Sequence, residues 1–191
     1  MSAATDLTTP ITRHMRKLTY LVRASVDGMI AGPDGELDWL FSRKEDEVAD
    51  FFAATDAVLL GTATYDYMLA HGMEAYPGMT NYVFSRTLRQ EDHPAVTIVP
   101  TDPTPFVGNL KEREGGGIWL LGGGVVFRYL LAAGMVDEIV VVVHPVLLGG
   151  GVPLLPRVET VTPLELLDTA RMDGGKVRMH YGVGAPRARE G

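Results

Sequence analysis

Three short polar stretches in this sequence each follow directly on an apolar run. Leu60 leads into Gly61-Thr62-Ala63-Thr64, Phe84 into Ser85-Arg86, and Leu121 into Gly122-Gly123-Gly124-Val125. A strand that passes straight into a helix presents unpaired backbone N–H groups and a partial positive charge, an arrangement that suits phosphate. Glycines let the backbone come close to such a ligand, threonine hydroxyls add donors, and Arg86 adds a full positive charge. Phosphates spread over three strand ends make a dinucleotide the expected ligand. Each stretch alone also has a plainer reading. A glycine triplet serves as a tight turn, Thr62 as a helix cap, and Arg86 as a solvated charge whose stem lies on the surface. The joint occurrence at three strand ends is what favours a ligand.

Other chemistries find less support. The five His residues (His14, His71, His93, His144 and His180) have no helical spacing for a metal pair. The Ser residues at 2, 25, 42 and 85 lie outside any G-x-S-x-G elbow. Neither the G-x-G-x-x-G fingerprint nor a Walker loop is present. The acidic stretch Asp34 to Asp56 reads mainly as a solvated helix face. Asp38 stands apart, because Leu37, Trp39, Leu40 and Phe41 surround it in sequence. A carboxyl group in aromatic surroundings holds its proton more tightly and can act as an acid; a turn-capping role is the alternative.

These residues need elements to position them. Apolar or β-branched runs at Lys17–Ala24, Ala57–Leu60, Asn81–Phe84, Val96–Val99, Ile118–Leu121, Glu138–Val143, Leu164–Ala170 and Lys176–Tyr181 predict eight strands. Four helices are expected. One starts at Ser42, with Glu45 completing a capping box. The others are Thr62–Ala70, one capped by Thr104 ahead of Pro105, and Val125–Ala133 stopped by Gly134. Strands and helices alternate as far as Val143, which predicts a mostly parallel α/β sheet with helices on both faces. Asp173-Gly174-Gly175 predicts a closing antiparallel hairpin. Residues 16–184 form the expected domain, between a loose arm at 1–15 and a tail at 185–191.

With 191 residues and 46% apolar composition, the chain has enough material for one sizeable core. Its net charge of −7 provides no basic field for nucleic acid. The longest strongly apolar run, Ile139–Val143, is five residues, against about 20 for a membrane span. The first fourteen residues carry no signal-peptide pattern. Cys is absent, which removes thiolate metal sites and Cys nucleophiles and fits a cytoplasmic location.

Read together, the motifs resemble the reductase domain of bifunctional riboflavin-biosynthesis proteins, a domain with the dihydrofolate reductase fold. Ser25-Val26-Asp27-Gly28-Met29-Ile30-Ala31 is similar to that family's S-x-D-G-x-I-A segment. Gly61 to Tyr65 resembles its G-R-x-T-Y segment, and Val83 to Arg86 its V-x-S-R segment. Gly122-Gly123-Gly124, Val136-Asp137-Glu138 and Pro145 to Gly151 resemble its G-G-G, V-D-E and P-x-L-L-G-G-G segments.

The resemblance implies an eight-stranded mixed sheet of dihydrofolate reductase type and an NADPH cofactor. It places Gly61, Thr62 and Thr64 at the pyrophosphate and Ser85 and Arg86 at the 2′-phosphate. Leu121, Gly122, Gly123, Gly124 and Val125 would face the phosphates and the nicotinamide ribose. Ser25, Asp27 and Trp39 would lie on the substrate side, with Asp27 orienting the substrate and Asp38 or water delivering a proton. The implied activity is hydride transfer to a small heterocyclic or imine-like molecule. A non-catalytic NADPH-binding module and a pterin-reducing enzyme are the alternatives. Two departures stand out: the family's Arg after Gly61 is Thr62 here, and nothing resembling the zinc deaminase half is present. The apolar loop Pro145–Pro156 and the late strands predict a two-fold homodimer.

Overall fold

The computed structural model describes residues 15–40, 48–156 and 160–188. In chain order the strands are β1 (Leu18–Ser25), β2 (Met29–Ala31), β3 (Thr55–Gly61), β4 (Thr80–Phe84), β5 (Thr97–Val99) and β6 (Gly117–Gly122), then β7 (Glu138–His144), β8 (Val152–Pro153), β9 (Thr160–Val161), β10 (Leu164–Arg171), β11 (Val177–Val183) and β12 (Arg187–Ala188). The α-helices are α1 (Ala49–Ala53), α2 (Thr62–Ala70), α3 (Pro103–Lys111) and α4 (Gly124–Ala132).

Eight strands make one sheet in the order β10-β11-β7-β1-β6-β3-β4-β5. Its pairings are parallel from β7 through to β5. Only β11 against β7 and β10 against β11 run antiparallel. The β-branched run of β7 is buried on both faces, as a central parallel strand must be. All eight strands expected from the sequence are present, as is the closing hairpin.

Strand alternation sends side chains to two separate cores. On one face Tyr20, Val22, Leu59 and Leu120 pack under α3 and α4, through Val107, Leu110, Phe127, Leu130 and Leu131. Tyr20 and Phe127 stack there with ring centroids 3.8 Å apart. On the other face Leu21, Val58, Leu60, Trp119 and Val140 pack with Tyr65 and Met68 of α2 and with Phe51 and Phe52 of α1. The amino-terminal edge of the sheet is pinned by charge. Lys111 Nζ, almost fully buried, lies 2.6 Å from Asp137 Oδ2, and Arg16 pairs with Asp56.

Several local expectations are revised. The Asp102 side chain, not Thr104, caps α3; it accepts from the Thr104 N–H at 2.8 Å, and Pro103 opens the helix. The start expected at Ser42 lies outside the described residues, and the helix is described from Ala49. Arg187–Ala188, placed in the tail, pair with β9. The Pro145–Pro156 loop is half folded down: Leu154 and Leu155 pack on the core and β8 pairs with β2. Leu147 stays 73% exposed.

Candidate active site at the carboxyl edge of the sheet

β3 and β6 are neighbours in the sheet, yet their helices leave to opposite faces. α2 packs with the Leu21–Trp119 core and α4 with the Tyr20–Leu120 core. Adjacent strands whose connections diverge open a crevice beyond their carboxyl ends, the usual ligand position in such sheets. The opening extends to the next strand pair. The ladder between β1 and β6 stops at Tyr20–Leu120. β1 runs on from there to Ser25 and β6 to Gly122.

The glycines make this crevice tight. A Cβ on Gly122 would lie 3.0 Å from Thr64 Oγ1. One on Gly61 would lie 3.2 Å from Val126 Cγ2, and one on Gly123 (φ +93°) would lie 3.3 Å from the Gly61 Cα. The starts of α2 and α4 are therefore brought together by backbone contact. Neither has a side-chain cap, whereas α3 has Asp102. The first N–H groups of a helix have no partner within it, so two uncapped sets face one crevice. Thr62 Oγ1 donates to the Phe84 carbonyl at 3.1 Å and ties α2 to the end of β4.

Ser85 and Arg86 divide their work. The Ser85 hydroxyl is buried and accepts from the Thr87 and Leu88 N–H groups at 3.3 and 3.2 Å, shaping the turn after β4. That turn leaves the Arg86 side chain exposed. This donor set fits a dinucleotide: two helix starts for a diphosphate, and an exposed guanidinium one strand away for a further phosphate. Val125 is exposed in the first turn of α4, and Leu121 is half-buried against the α2-side core.

The residues expected on the substrate side behave differently from one another. Ser25 Oγ donates to Asp27 Oδ1 at 2.6 Å and accepts from the Met29 N–H at 2.9 Å. Asp27 also accepts from the Leu148 N–H at 3.2 Å and the Gly149 N–H at 2.7 Å. The Ser25 hydroxyl and these two amides hold its carboxyl down at about 2. Both oxygens of Asp27 are thus engaged within the protein, in a clamp that fastens the 145–151 loop to the end of β1. Asp38 is exposed, not buried among the apolar residues that flank it in sequence. Trp39 does lie inward. Its ring meets His144 edge-on at 5.6 Å, and its Nε1 is buried without a hydrogen-bond partner among the described residues.

Residues 16–177 match the family model of the RibD C-terminal domain. The chain belongs to the RibD C-terminal domain family. The uncharacterized protein YwjB of Bacillus subtilis (strain 168) is 34% identical over 172 residues, spanning 87% of this chain and 97% of its own. Among solved structures, a Shewanella sp. PV-4 protein assigned by its name to riboflavin biosynthesis superposes with a TM-score of 0.77 at 23% identity, over 88% of this chain and 99% of its own. The dihydrofolate reductase of Enterococcus faecalis, solved with NADP(H), superposes with a TM-score of 0.61 at 19% identity, over 88% of this chain and 97% of its own. The fold is therefore the mixed, dihydrofolate reductase-like α/β sheet expected from the motifs.

Within this RibD-type domain, sequence reasoning passed over three features. The clamp partners of Asp27 are backbone amides 121 and 122 residues away, which no local pattern encodes. His144 was read as an isolated histidine, yet it is fully buried at the end of β7. Arg23 interrupts the apolar run of β1, and a charge inside a central strand was the available signal.

Proposed function

We propose that this domain is an NADPH-dependent reductase acting on a small heterocyclic or imine-like substrate. The observation that carries the reading is the meeting of two uncapped helix starts, α2 and α4, at one crevice with Arg86 exposed beside it. When bound, NADPH supplies a hydride; the protein supplies position and electrostatics. In this reading the N–H groups of Thr62 to Thr64 and Gly124 to Val126 hold the diphosphate, and Gly61, Gly122 and Gly123 admit it. Arg86 holds the 2′-phosphate, with Ser85 setting its turn. The substrate occupies the splay between β1 and β6, against Leu121 and Trp39. Orienting it there lowers the barrier by prepaid entropy. Since Asp27 is engaged and Asp38 exposed, the proton comes from water, and Asp27 shapes the site by holding the 145–151 loop.

That engagement of Asp27 also favours a second reading, nucleotide binding without turnover. The two separate in one experiment. The protein is titrated with NADPH, then mixed with pyrimidines, pteridines and cyclic imines while NADPH absorbance is followed. Binding with turnover supports the reductase; binding with none across the panel supports the module; no binding overturns both.

The domain is further proposed to work as a homodimer. Leu164, Leu166 and Leu167 of β10 are 46%, 55% and 49% exposed. Beside Leu164, on the α4 face, lies an open apolar cavity of about 420 Å³ walled also by Leu131, Val141, Leu155, Met179 and Tyr181. Contiguous apolar surface of this kind marks an interface, and a second copy is its simplest cover. Among the described residues no helix is long and apolar enough to cross a membrane. A cytoplasmic location is proposed on the composition alone, a chain without Cys suiting a reducing compartment.

A further inference from the structure

The segment Val152 to Pro156 rests against the first residue of α4. A Cβ built on Gly124 would fall 3.0 Å from Pro156 Cδ and 3.9 Å from the Pro153 carbonyl oxygen. The same segment is fastened to the turn after β1. β8 pairs with β2, Met29 opposite Pro153 and Ala31 opposite Val152. The Leu154 N–H donates to the Gly28 carbonyl at 2.9 Å, and Leu154 and Leu155 pack on the α4-side core. A few residues upstream, Asp27 holds the Leu148 and Gly149 amides. One strap therefore runs from the Asp27 carboxylate to the start of α4.

The strap is stiff. Pro153 and Pro156 have φ fixed by their rings. At Gly151 a Cβ would collide with the Ala31 carbonyl oxygen, so strap and β2 touch backbone to backbone. A shift at the Asp27 end is passed along such a segment instead of being absorbed by it.

The strand order β1-β6-β3-β4 decides which part of a dinucleotide would meet this strap. In the reductase reading the 2′-phosphate lies at Arg86 after β4, the diphosphate lies where α2 and α4 begin, and the substrate lies between β1 and β6. The nicotinamide half must reach that substrate, so it occupies the α4 end, beside Pro153 and Pro156. We infer that the 152–156 strap walls the nicotinamide half of the cofactor, with Pro156 as the wall and Asp27 as the latch that holds it in place. Both are positioning residues, and Asp27 acts without touching the cofactor. A rigid ring beside the ribose limits its orientations, which favours hydride transfer through position. The inference rests on the reductase reading for the place of the dinucleotide.

The test compares two ligands that share one half. NADPH carries the nicotinamide ribose; adenosine 2′,5′-bisphosphate keeps the adenosine and the 2′-phosphate and lacks it. Each is titrated calorimetrically into the full chain. Pro156→Gly and Asp27→Ala should each weaken NADPH by about threefold or more, on the scale of one lost apolar contact, with the bisphosphate affinity held within about twofold. Should Asp27→Ala fail to fold, Asp27→Asn, which keeps one acceptor, is judged on the same criterion. Absence of the selective loss in Pro156→Gly overturns the wall, and its absence in the Asp27 variant overturns the latch. Equal losses for both ligands overturn the inference too, since they mark a general loosening of the fold. Failure of wild type to bind NADPH instead removes the reductase reading, and this inference with it.

Discussion

Gly123 lies against Gly61 so closely that a Cβ on Gly123 would fall 3.3 Å from the Gly61 Cα and 3.5 Å from its nitrogen. This contact draws the ends of β3 and β6 together and sets the starts of α2 and α4 side by side. Gly123 also has φ +93°, where a side chain is strained. Gly123→Ala should lower stability by about 1–3 kcal/mol and weaken NADPH together with it. A larger side chain such as Val would disturb the sheet as well as the ligand, so it cannot separate the two. Gly134→Ala is the control. Its φ is +66° with open space around it, so it should lose some stability with NADPH affinity unchanged. Chemical denaturation and NADPH titration of both variants check this.

Arg86 is exposed and is the residue proposed to distinguish the two nicotinamide cofactors. Arg86→Ala should weaken NADPH by about 1.5–3 kcal/mol, the range for a charge-assisted hydrogen bond. NADH should be almost unaffected. Equal losses for both would remove Arg86 from the 2′-phosphate.

The clamp at Asp27 makes a pH prediction. Its carboxyl is held at about 2, below the ordinary 3.8, first by the Ser25 hydroxyl and then by the Leu148 and Gly149 amides. A depressed acid stabilises the fold above its unfolded pKa, near 4, and the effect is lost as pH falls through about 2. Asp27→Ala should speed hydrogen exchange at Leu148 and Gly149 several-fold at neutral pH, with the core strands unchanged. Wild type should show the same loosening between pH 4 and 2. Unchanged exchange in the variant would mean the loop is held by other contacts.

How much of this was legible beforehand differs by element. The eight main strands showed in the sequence because each is a local apolar or β-branched run, as in Ile139–Val143. Ladders of two or three residues, β2 with β8 and β9 with β12, exist only because tertiary structure brings their ends together. Thr104 looked like a cap because it precedes Pro105, but Asp102 precedes Pro103 in the same way and holds the cap hydrogen bond. The phosphate-side residues could be named because glycines and Arg86 sit at strand ends. The substrate side was harder. Asp27 has the residue type of an orienting acid, and only the fold reveals that the Leu148 and Gly149 amides already occupy it. Asp38 has apolar neighbours in sequence but is itself exposed in the fold.

The exposed leucines of β10 predict association. Light scattering at micromolar concentration should give a mass near twice the 20.7 kDa of the chain. The double substitution Leu166→Glu and Leu167→Glu should return it to one chain with the far-ultraviolet spectrum unchanged. A wild-type mass near 20.7 kDa would show that this face stays bare.

The central claim is that a dinucleotide sits where α2 and α4 begin. Backbone amide mapping by NMR with isotope-labelled protein tests it most directly. NADPH should bind saturably, one per chain, and the largest shifts should fall on the amides of Thr62, Ala63, Thr64, Gly124 and Val125, with Arg86 responding to NADPH but not to NADH. Shifts confined to the apolar cavity around Leu131 and Met179, or none at all on saturation with NADPH, would contradict the account.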